Sequence, residues 1–133
     1  MKYLIDTHVC LWTVSEKHKL SDRVVNILED PGNEILFSQI SLFEIAIKVQ
    51  AGKFSEFTAS LHEFSDTLLN KGFSFLPLHN EHLSAYFNAG IFNNNHRNPF
   101  DRCLLAITIV ENCAIITKDE KFQLYNETFK IVW

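Results

Sequence analysis

The sequence predicts a three-layer α/β/α domain in which about five short parallel strands form the central sheet. Five apolar runs have the length and composition of buried strands. They lie at 3–5, 34–38, 73–77, 114–117 and 130–133. Because these runs are apolar almost throughout and alternate with helical patterns, they favour a parallel sheet covered by helices on both faces.

Helical patterns fill the segments between the predicted strands. One helix is expected after Ser21, which can cap it, and another is expected to start at Ser41 and to end at Gly52. Asn98 and Pro99 suit the cap and the first position of a helix that reaches about residue 112 and is apolar nearly all round. The remaining helical patterns cover 58–71 and 79–89.

The length and composition predict one domain, 1–133, without a membrane segment. A chain of 133 residues suffices for one core and is too short for two. No apolar run approaches the roughly 20 residues that span a bilayer. The three cysteines are an odd number without a Cys-x-x-Cys pair, so they are interpreted as reduced core residues of a cytoplasmic protein.

The formal net charge of −4 weighs against a basic nucleic-acid-binding surface. That objection weakens if several carboxylates face one another in a metal site, because a bound divalent cation reverses the local charge. Setting aside four such carboxylates brings the net charge to zero. The charge therefore does not exclude a nucleic-acid partner.

Four acidic residues follow predicted strands at the edge of the sheet where ligands bind in open α/β folds. Asp6 comes directly after the first strand, and Asp119 comes two residues beyond the fourth. Glu44 and Asp101 are expected in the first turns of helices. The sequence thus predicts that all four carboxylates occupy one rim of the domain.

Each of these acids also has a local explanation. Asp6 and Asp119 can cap the turns that follow them. Glu44 can close a capping box at 41–44 or pair with Lys48 one turn ahead. Asp101 suits the positive end of a helix dipole. However, Glu44 and Asp101 lie among apolar residues, where an ionised carboxylate is costly unless it is paired or bound to a metal.

Four acids that converge without four matching bases indicate a hard cation such as Mg²⁺ or Mn²⁺. Carboxylate-held metals suit phosphodiester hydrolysis, because they supply a hydroxide nucleophile and neutralise phosphate charge. Two threonines beside the acids, Thr7 and Thr117, are candidates for positioning water or phosphate. Arg102 and Lys118 are candidates for contacts with phosphate oxygens.

Four stretches of the chain together resemble a PIN-domain ribonuclease, of the VapC-like toxin type found in bacterial toxin–antitoxin pairs. The stretches occur in the order and at the spacing of that family, and they span nearly the whole chain. They are YLIDTHVCLW (3–12), SQISLFEIAIKVQAGKF (38–54), HRNPFDRCLLA (96–106) and AIITKDEKF (114–122).

The resemblance implies a fold, an activity and partners. It implies the PIN fold and usually a homodimer, with a cognate antitoxin that blocks the active-site groove. The acidic site of the family falls on Asp6, Glu44, Asp101 and Asp119, which then resemble the Mg²⁺ or Mn²⁺ ligands of an endoribonuclease specific for single-stranded RNA. Asn98 stands where many relatives carry a further acid. With the four acids intact, the expectation is an active enzyme.

Two other α/β classes require residues that this sequence lacks. A phospho-receiver domain needs an aspartate after the third strand, and none is present at 73–80. A haloacid-dehalogenase-type phosphatase needs an aspartate where His8 stands. A PIN-like module that binds RNA or protein without cutting remains open. His8 and His96 are left out of the catalytic set, and Trp12 is interpreted as a core residue.

Overall fold

A computed structural model describes residues 1–133 and confirms the predicted α/β class. Its five strands begin and end within one or two residues of the predicted runs. The strands are β1 (Lys2–Ile5), β2 (Glu34–Ser38), β3 (Ser74–Leu76), β4 (Ala114–Ile116) and β5 (Ile131–Val132). The helices are α1 (Thr7–Ser15), α2 (Asp22–Glu29), α3 (Gln39–Gln50), α4 (Leu61–Asn70), α5 (Asn80–Asn88) and α6 (Pro99–Glu111). Two short 3₁₀ helices cover Lys17–Lys19 and Glu120–Tyr125.

The sheet is parallel throughout, in the order β3-β2-β1-β4-β5. In the register of the three central strands, Ile5 lies beside Phe37 of β2 and beside Ile116 of β4. The carboxyl ends of these strands therefore meet at one edge. Chain connections leave β1 toward β2 on one side and reach β4 on the other, which makes this edge the topological switch point.

Two hydrophobic cores lie on the two faces of the sheet, because the side chains of the central strands point to each face in turn. In β1, Tyr3 and Ile5 join a cluster with residues of α1, α2, α3 and α4. Leu4 between them joins a second cluster formed mainly by α6 and the 3₁₀ helix Glu120–Tyr125. Since successive side chains of a strand point to opposite faces, helices cover both faces. The three-layer prediction is confirmed.

The predicted cap of α3 is wrong by three residues. The helix begins directly where β2 ends, and Ser38 caps it by accepting a hydrogen bond from Ile40 N at 3.1 Å. Ser41 is therefore a buried residue within the helix. Glu44 lies in the second turn, so the capping box proposed for 41–44 does not exist.

A buried histidine joins α5 to α6 at a distance from the switch point. The backbone N–H of His79 donates to His82 Nδ1 at 3.0 Å. His82 Nε2 must then carry the ring hydrogen, and it donates to Glu111 Oε1 at 2.9 Å. Lys2 Nζ donates to the other oxygen of Glu111 at 3.3 Å. This network links the first strand to both helices.

None of the helices combines the length and apolar character needed to cross a membrane.

Candidate metal centre

Asp6 lies at the switch point, directly between the ends of β1 and β4. Its backbone N–H donates to Ile116 O at 3.1 Å. Its carboxylate caps α1 by accepting from Val9 N at 2.7 Å, as the local explanation predicted. The other carboxylate oxygen accepts a hydrogen bond from the Thr117 hydroxyl. Each oxygen of an ionised carboxylate has two acceptor sites, so both oxygens retain one for a ligand.

The electrostatic surroundings of Asp6 do not favour a bare anion. Burial raises the pKa of Asp6 to about 7, against the opposing hydrogen bonds from Thr117 and Val9. The negative charges of Asp101 and Asp119 raise this pKa further. None of the ion pairs in the structure includes Asp6 or Asp119. The carboxylate is therefore buried without a cation to compensate it.

Asp101 reaches the same edge from the first turn of α6. Asn98 sets the start of this helix, because its side chain accepts hydrogen bonds from Phe100 N at 2.9 Å and Asp101 N at 3.2 Å. Pro99 occupies the first turn, where a missing N–H costs nothing. Burial raises the pKa of Asp101, although a hydrogen bond from His96 opposes the rise. The predicted cap and the predicted position of Asp101 are both confirmed.

His96, which the sequence analysis left out of the catalytic set, lies beside Asp101 in the structure. Its side chain is fully buried, and its Nε2 lies 2.9 Å from Asp101 Oδ2. The ring packs against Phe122 and Tyr125, with centroid distances of 5.0 and 5.5 Å. Nδ1 is buried without a hydrogen-bond partner. Nothing in the spacing of the polar loop before α6 indicates burial, so only the fold shows that this imidazole orients Asp101.

Asp119 lies close to His96 and Asp101, and these three side chains could hold a metal ion; Asp6 is not a member of this group. Asp119 is exposed, it caps the 3₁₀ helix after β4, and its Oδ1 accepts from Lys121 N at 2.9 Å. One donor atom each from His96, Asp101 and Asp119 lie within 4.8 Å of one another. This spacing suits a single cation, and carboxylate oxygens are the ligands that Mg²⁺ and Mn²⁺ prefer.

Glu44 lies apart from this group and has its own partners. Its side chain is 4% exposed, and Lys48 Nζ donates to Oε2 at 2.8 Å. The Thr7 hydroxyl donates to Oε1 at 2.6 Å. The expectation that the four acids lack matching bases is therefore wrong for Glu44, whose predicted pairing with Lys48 is present. A role of Glu44 as a metal ligand stays a prediction. Its negative charge does reach the site, since it raises the pKa of Asp101.

The two threonines hold acidic side chains in place. Besides its bond to Glu44, Thr7 lies 3.1 Å from the Ser41 hydroxyl. Thr117 donates to Asp6 and accepts from Asp119 N at 3.1 Å, so it joins the segment after β4 to the carboxylate after β1. Both threonines are buried. Their contacts describe a positioning role, and their predicted contact with water or phosphate stays a prediction.

The two predicted cationic residues have different surroundings. The Arg102 guanidinium binds the loop before α6, donating to His96 O at 2.6 Å and Asn93 O at 3.1 Å. It also stacks over the Phe92 ring at 5.1 Å. These contacts give Arg102 a structural role, and its contact with phosphate stays a prediction. Lys118 is exposed, lies over Trp12 and lines a cleft.

The cleft provides access to Asp6 and Asp119 from solvent. Its volume is about 320 Å³, and its lining consists of Asp6, His8, Trp12, Lys118 and Asp119. The interpretation of Trp12 as a core residue is incomplete, because the side chain packs on the core and also lines this cleft. Two carboxylates that line one cleft without ion-pair partners fit a hard divalent cation.

Comparisons with known proteins agree with the fold. The family model described as PIN domain matches residues 3–127. The chain belongs to the PIN domain family. No match was found among curated protein sequences.

Solved structures with a similar fold cover nearly the whole chain. VapBC2 from Rickettsia felis, bound to a DNA fragment from its promoter, has a TM-score of 0.67 and 20% identity over 98% of this chain and 97% of that chain. VapBC-1 from nontypeable Haemophilus influenzae has a TM-score of 0.64 and 18% identity, over 98% and 96%. VapBC-5 from Mycobacterium tuberculosis, a member of a family of toxin–antitoxin systems, has a TM-score of 0.63 and 15% identity, over 98% and 97%. At these identities the likeness establishes the shared fold.

Proposed function

We propose that this protein is a metal-dependent endoribonuclease that hydrolyses phosphodiester bonds in single-stranded or loop RNA. The observation that carries the proposal is the uncompensated carboxylate of Asp6, buried at the switch point beside Asp101 and Asp119. A buried anion without a cation is unfavourable, so the site needs a positive ligand to keep Asp6 ionised. Mg²⁺ or Mn²⁺ fits both the charge and the oxygen donors.

The proposed metal ligands are Asp6, Glu44, Asp101 and Asp119, and the charge of Glu44 raises the pKa of Asp101. A bound divalent cation supplies a hydroxide nucleophile near neutral pH and neutralises charge on the phosphate. The surrounding side chains fix the acids. Thr117 orients Asp6, and His96 orients Asp101. Such orienting hydrogen bonds keep the donor atoms in position before the metal arrives.

We further propose that the nuclease is the toxin of a toxin–antitoxin pair. The motif resemblance supports this, together with the VapBC complexes among the structures of similar fold. The proposal includes a cognate antitoxin protein as partner, a homodimer, and action in the cytoplasm by the single domain 1–133.

Cleavage of single-stranded RNA in Mg²⁺, in Mn²⁺ and in EDTA tests the activity. Asp6→Asn and Asp101→Asn remove acids of the proposed site, and Asp66→Asn on α4 is the matched control, because Asp66 is exposed and remote from the cleft. We expect cleavage that needs metal, persists in Asp66→Asn and disappears in both site variants. Cleavage that survives in EDTA or in the site variants would contradict the proposal.

The ion pair between Glu44 and Lys48 favours one second candidate, a PIN-like module that binds RNA or protein without cutting. This pair satisfies one of the four acids without any metal. The same assay separates the candidates. A folded protein that binds RNA and cuts none of it in either metal would support the silent module.

A further inference from the structure

We propose that Trp12 and Lys118 bind the nucleotide next to the scissile phosphate, with the base stacked on the Trp12 indole and a phosphate paired with the Lys118 ammonium. This inference deepens the proposed function and rests on it for the identity of the cut strand. It adds a base contact at Trp12 to the cleft that contains Asp6 and Asp119. Three features carry it: the course of the clefts, the surroundings of the indole and the distribution of charge.

Two clefts meet at Trp12. The first contains Asp6 and Asp119, and the second, of about 440 Å³, extends between α1 and the segment after α3. His8 and Trp12 line both of them. The second cleft also contains Phe54, whose ring lies edge-on to His8 at 6.1 Å. An RNA strand whose phosphate lies at Asp6 and Asp119 can therefore place an adjacent base against Trp12, because the two clefts are continuous there.

Exposed lysine side chains approach the Trp12 ring. Lys118 Nζ and Lys19 Nζ each lie 5.9 Å from the ring centroid. Trp133 and His8 support the indole, at centroid distances of 5.9 and 5.6 Å. Cation–π contacts at exposed sites are weak, so a nucleobase can replace an ammonium group on the ring. The displaced Lys118 ammonium then becomes available to a phosphate of the same strand.

The charges decide which part of the nucleotide enters which cleft. The second cleft contains two carboxylates, Glu16 and Glu56, and one ammonium, Lys19, which pairs with Glu16 at 2.7 Å. This excess of negative charge repels phosphate but accepts an uncharged base. The first cleft also has two carboxylates, Asp6 and Asp119, and one ammonium, Lys118, but there the proposed divalent cation would neutralise the carboxylates. The backbone of the strand therefore follows Lys118 and the acids, while the base points toward Trp12.

Tryptophan fluorescence measures this contact directly, because Trp12 and Trp133 are the two tryptophans of the chain and only Trp133 has to be replaced. In Trp133→Phe the emission comes from Trp12 alone. We use an oligoadenylate RNA of about six nucleotides as the probe, in an Asp6→Asn background so that the strand stays intact during the titration. Saturable quenching of Trp12 emission is expected. Absence of quenching at concentrations where the RNA binds would overturn the proposal.

Substitutions test the two contacts separately. Trp12→Leu should weaken the Kd for the oligonucleotide roughly five- to hundredfold, the range expected when one base loses an aromatic partner. Trp12→Phe should recover part of that loss. Phe87→Leu is the control, because Phe87 is 88% exposed and lines neither cleft. Affinities that fall equally in Trp12→Leu and Phe87→Leu would contradict stacking on Trp12.

Lys118→Gln should weaken binding and flatten its salt dependence, because one phosphate contact is lost. Lys130→Gln is the matched control, since Lys130 precedes β5 at the opposite edge of the sheet. An identical salt slope in both variants would contradict the phosphate contact. Metal-dependent cleavage with an unchanged KM in Trp12→Leu would overturn this inference and leave the proposed function intact. Quenching without any cleavage by the wild-type protein would refute the nuclease and leave the base contact standing.

Discussion

Replacing Asp6 by asparagine should stabilise the metal-free protein above neutral pH. The variant keeps an oxygen to accept from Val9 N, and asparagine caps helices about as well as aspartate. Burial raises the pKa of Asp6 from 3.8 to about 7, and at about 1.4 kcal/mol per pH unit this corresponds to roughly 4 kcal/mol. Disturbing the hydrogen bond from Thr117 costs about 1 kcal/mol. The net gain for the variant is then about 3 kcal/mol.

The pH dependence has a definite sign. Because the pKa of Asp6 in the folded protein lies above its unfolded value, the native state holds a proton that the unfolded chain has released between about pH 4 and pH 7. The free energy of unfolding of the wild type therefore falls as the pH rises through this window, and the contribution is constant above it. Asparagine does not titrate. The advantage of Asp6→Asn should be absent near pH 4 and complete near pH 8.

Urea unfolding in EDTA across this pH range measures the difference. Asp66→Asn, at an exposed position of α4, should follow the wild type at every pH. Saturating Mn²⁺ should then reverse the order, because a ligand that binds the native state alone stabilises only the protein that can hold it. A variant less stable than the wild type in EDTA at pH 8, or a difference independent of pH, would refute the assignment of Asp6 as an uncompensated buried acid.

Three further substitutions test other parts of the structure. His96→Ala should weaken Mn²⁺ binding 10- to 100-fold, as loss of an orienting partner does elsewhere; calorimetry that finds unchanged affinity would remove His96 from the site. Ser38→Ala should cost about 1 kcal/mol, because α3 loses its cap; an unchanged urea midpoint would be evidence against the assigned helix start. Glu111→Gln should cost about 1 kcal/mol at pH 7. Hydrogen bonding to His82 lowers the pKa of Glu111, so this cost should fade below pH 4.5, and a cost independent of pH would contradict the network.

The fold could be predicted because its strands and helix caps have recognisable short-range sequence patterns. Buried parallel strands are apolar at nearly every position because both of their faces are covered, and this made all five recognisable. Helix starts such as that of α6 were also predictable, because a cap such as Asn98 bonds to backbone N–H groups only two or three residues further along the chain. The sequence offers two serines as caps near the start of α3, Ser38 and Ser41, and the prediction chose the wrong one. Only the length of β2 decides in favour of Ser38, and that length is set by pairing with β1 and β3.

The sequence predicted where the acidic residues of the candidate site lie, but not which side chains contact them. The positions of Asp6, Asp101 and Asp119 follow from strand ends and helix starts. The partners of these acids depend on contacts between distant segments, such as the Thr117 bond to Asp6 across 111 positions. The burial of His96 depends on packing against the 3₁₀ helix Glu120–Tyr125. The sequence pattern does not reveal such contacts, so the bond of His96 to Asp101 and the place of Trp12 in the cleft were not predicted.

An anomalous difference map from crystals soaked in Mn²⁺ tests most directly whether these carboxylates form a metal centre. The account predicts one strong peak at the bottom of the cleft, about 2.1 Å from carboxylate oxygens of Asp6, Asp101 and Asp119, and its loss in Asp6→Asn crystals. A saturating soak without a peak there, or with a peak that persists in Asp6→Asn, would contradict the central claim.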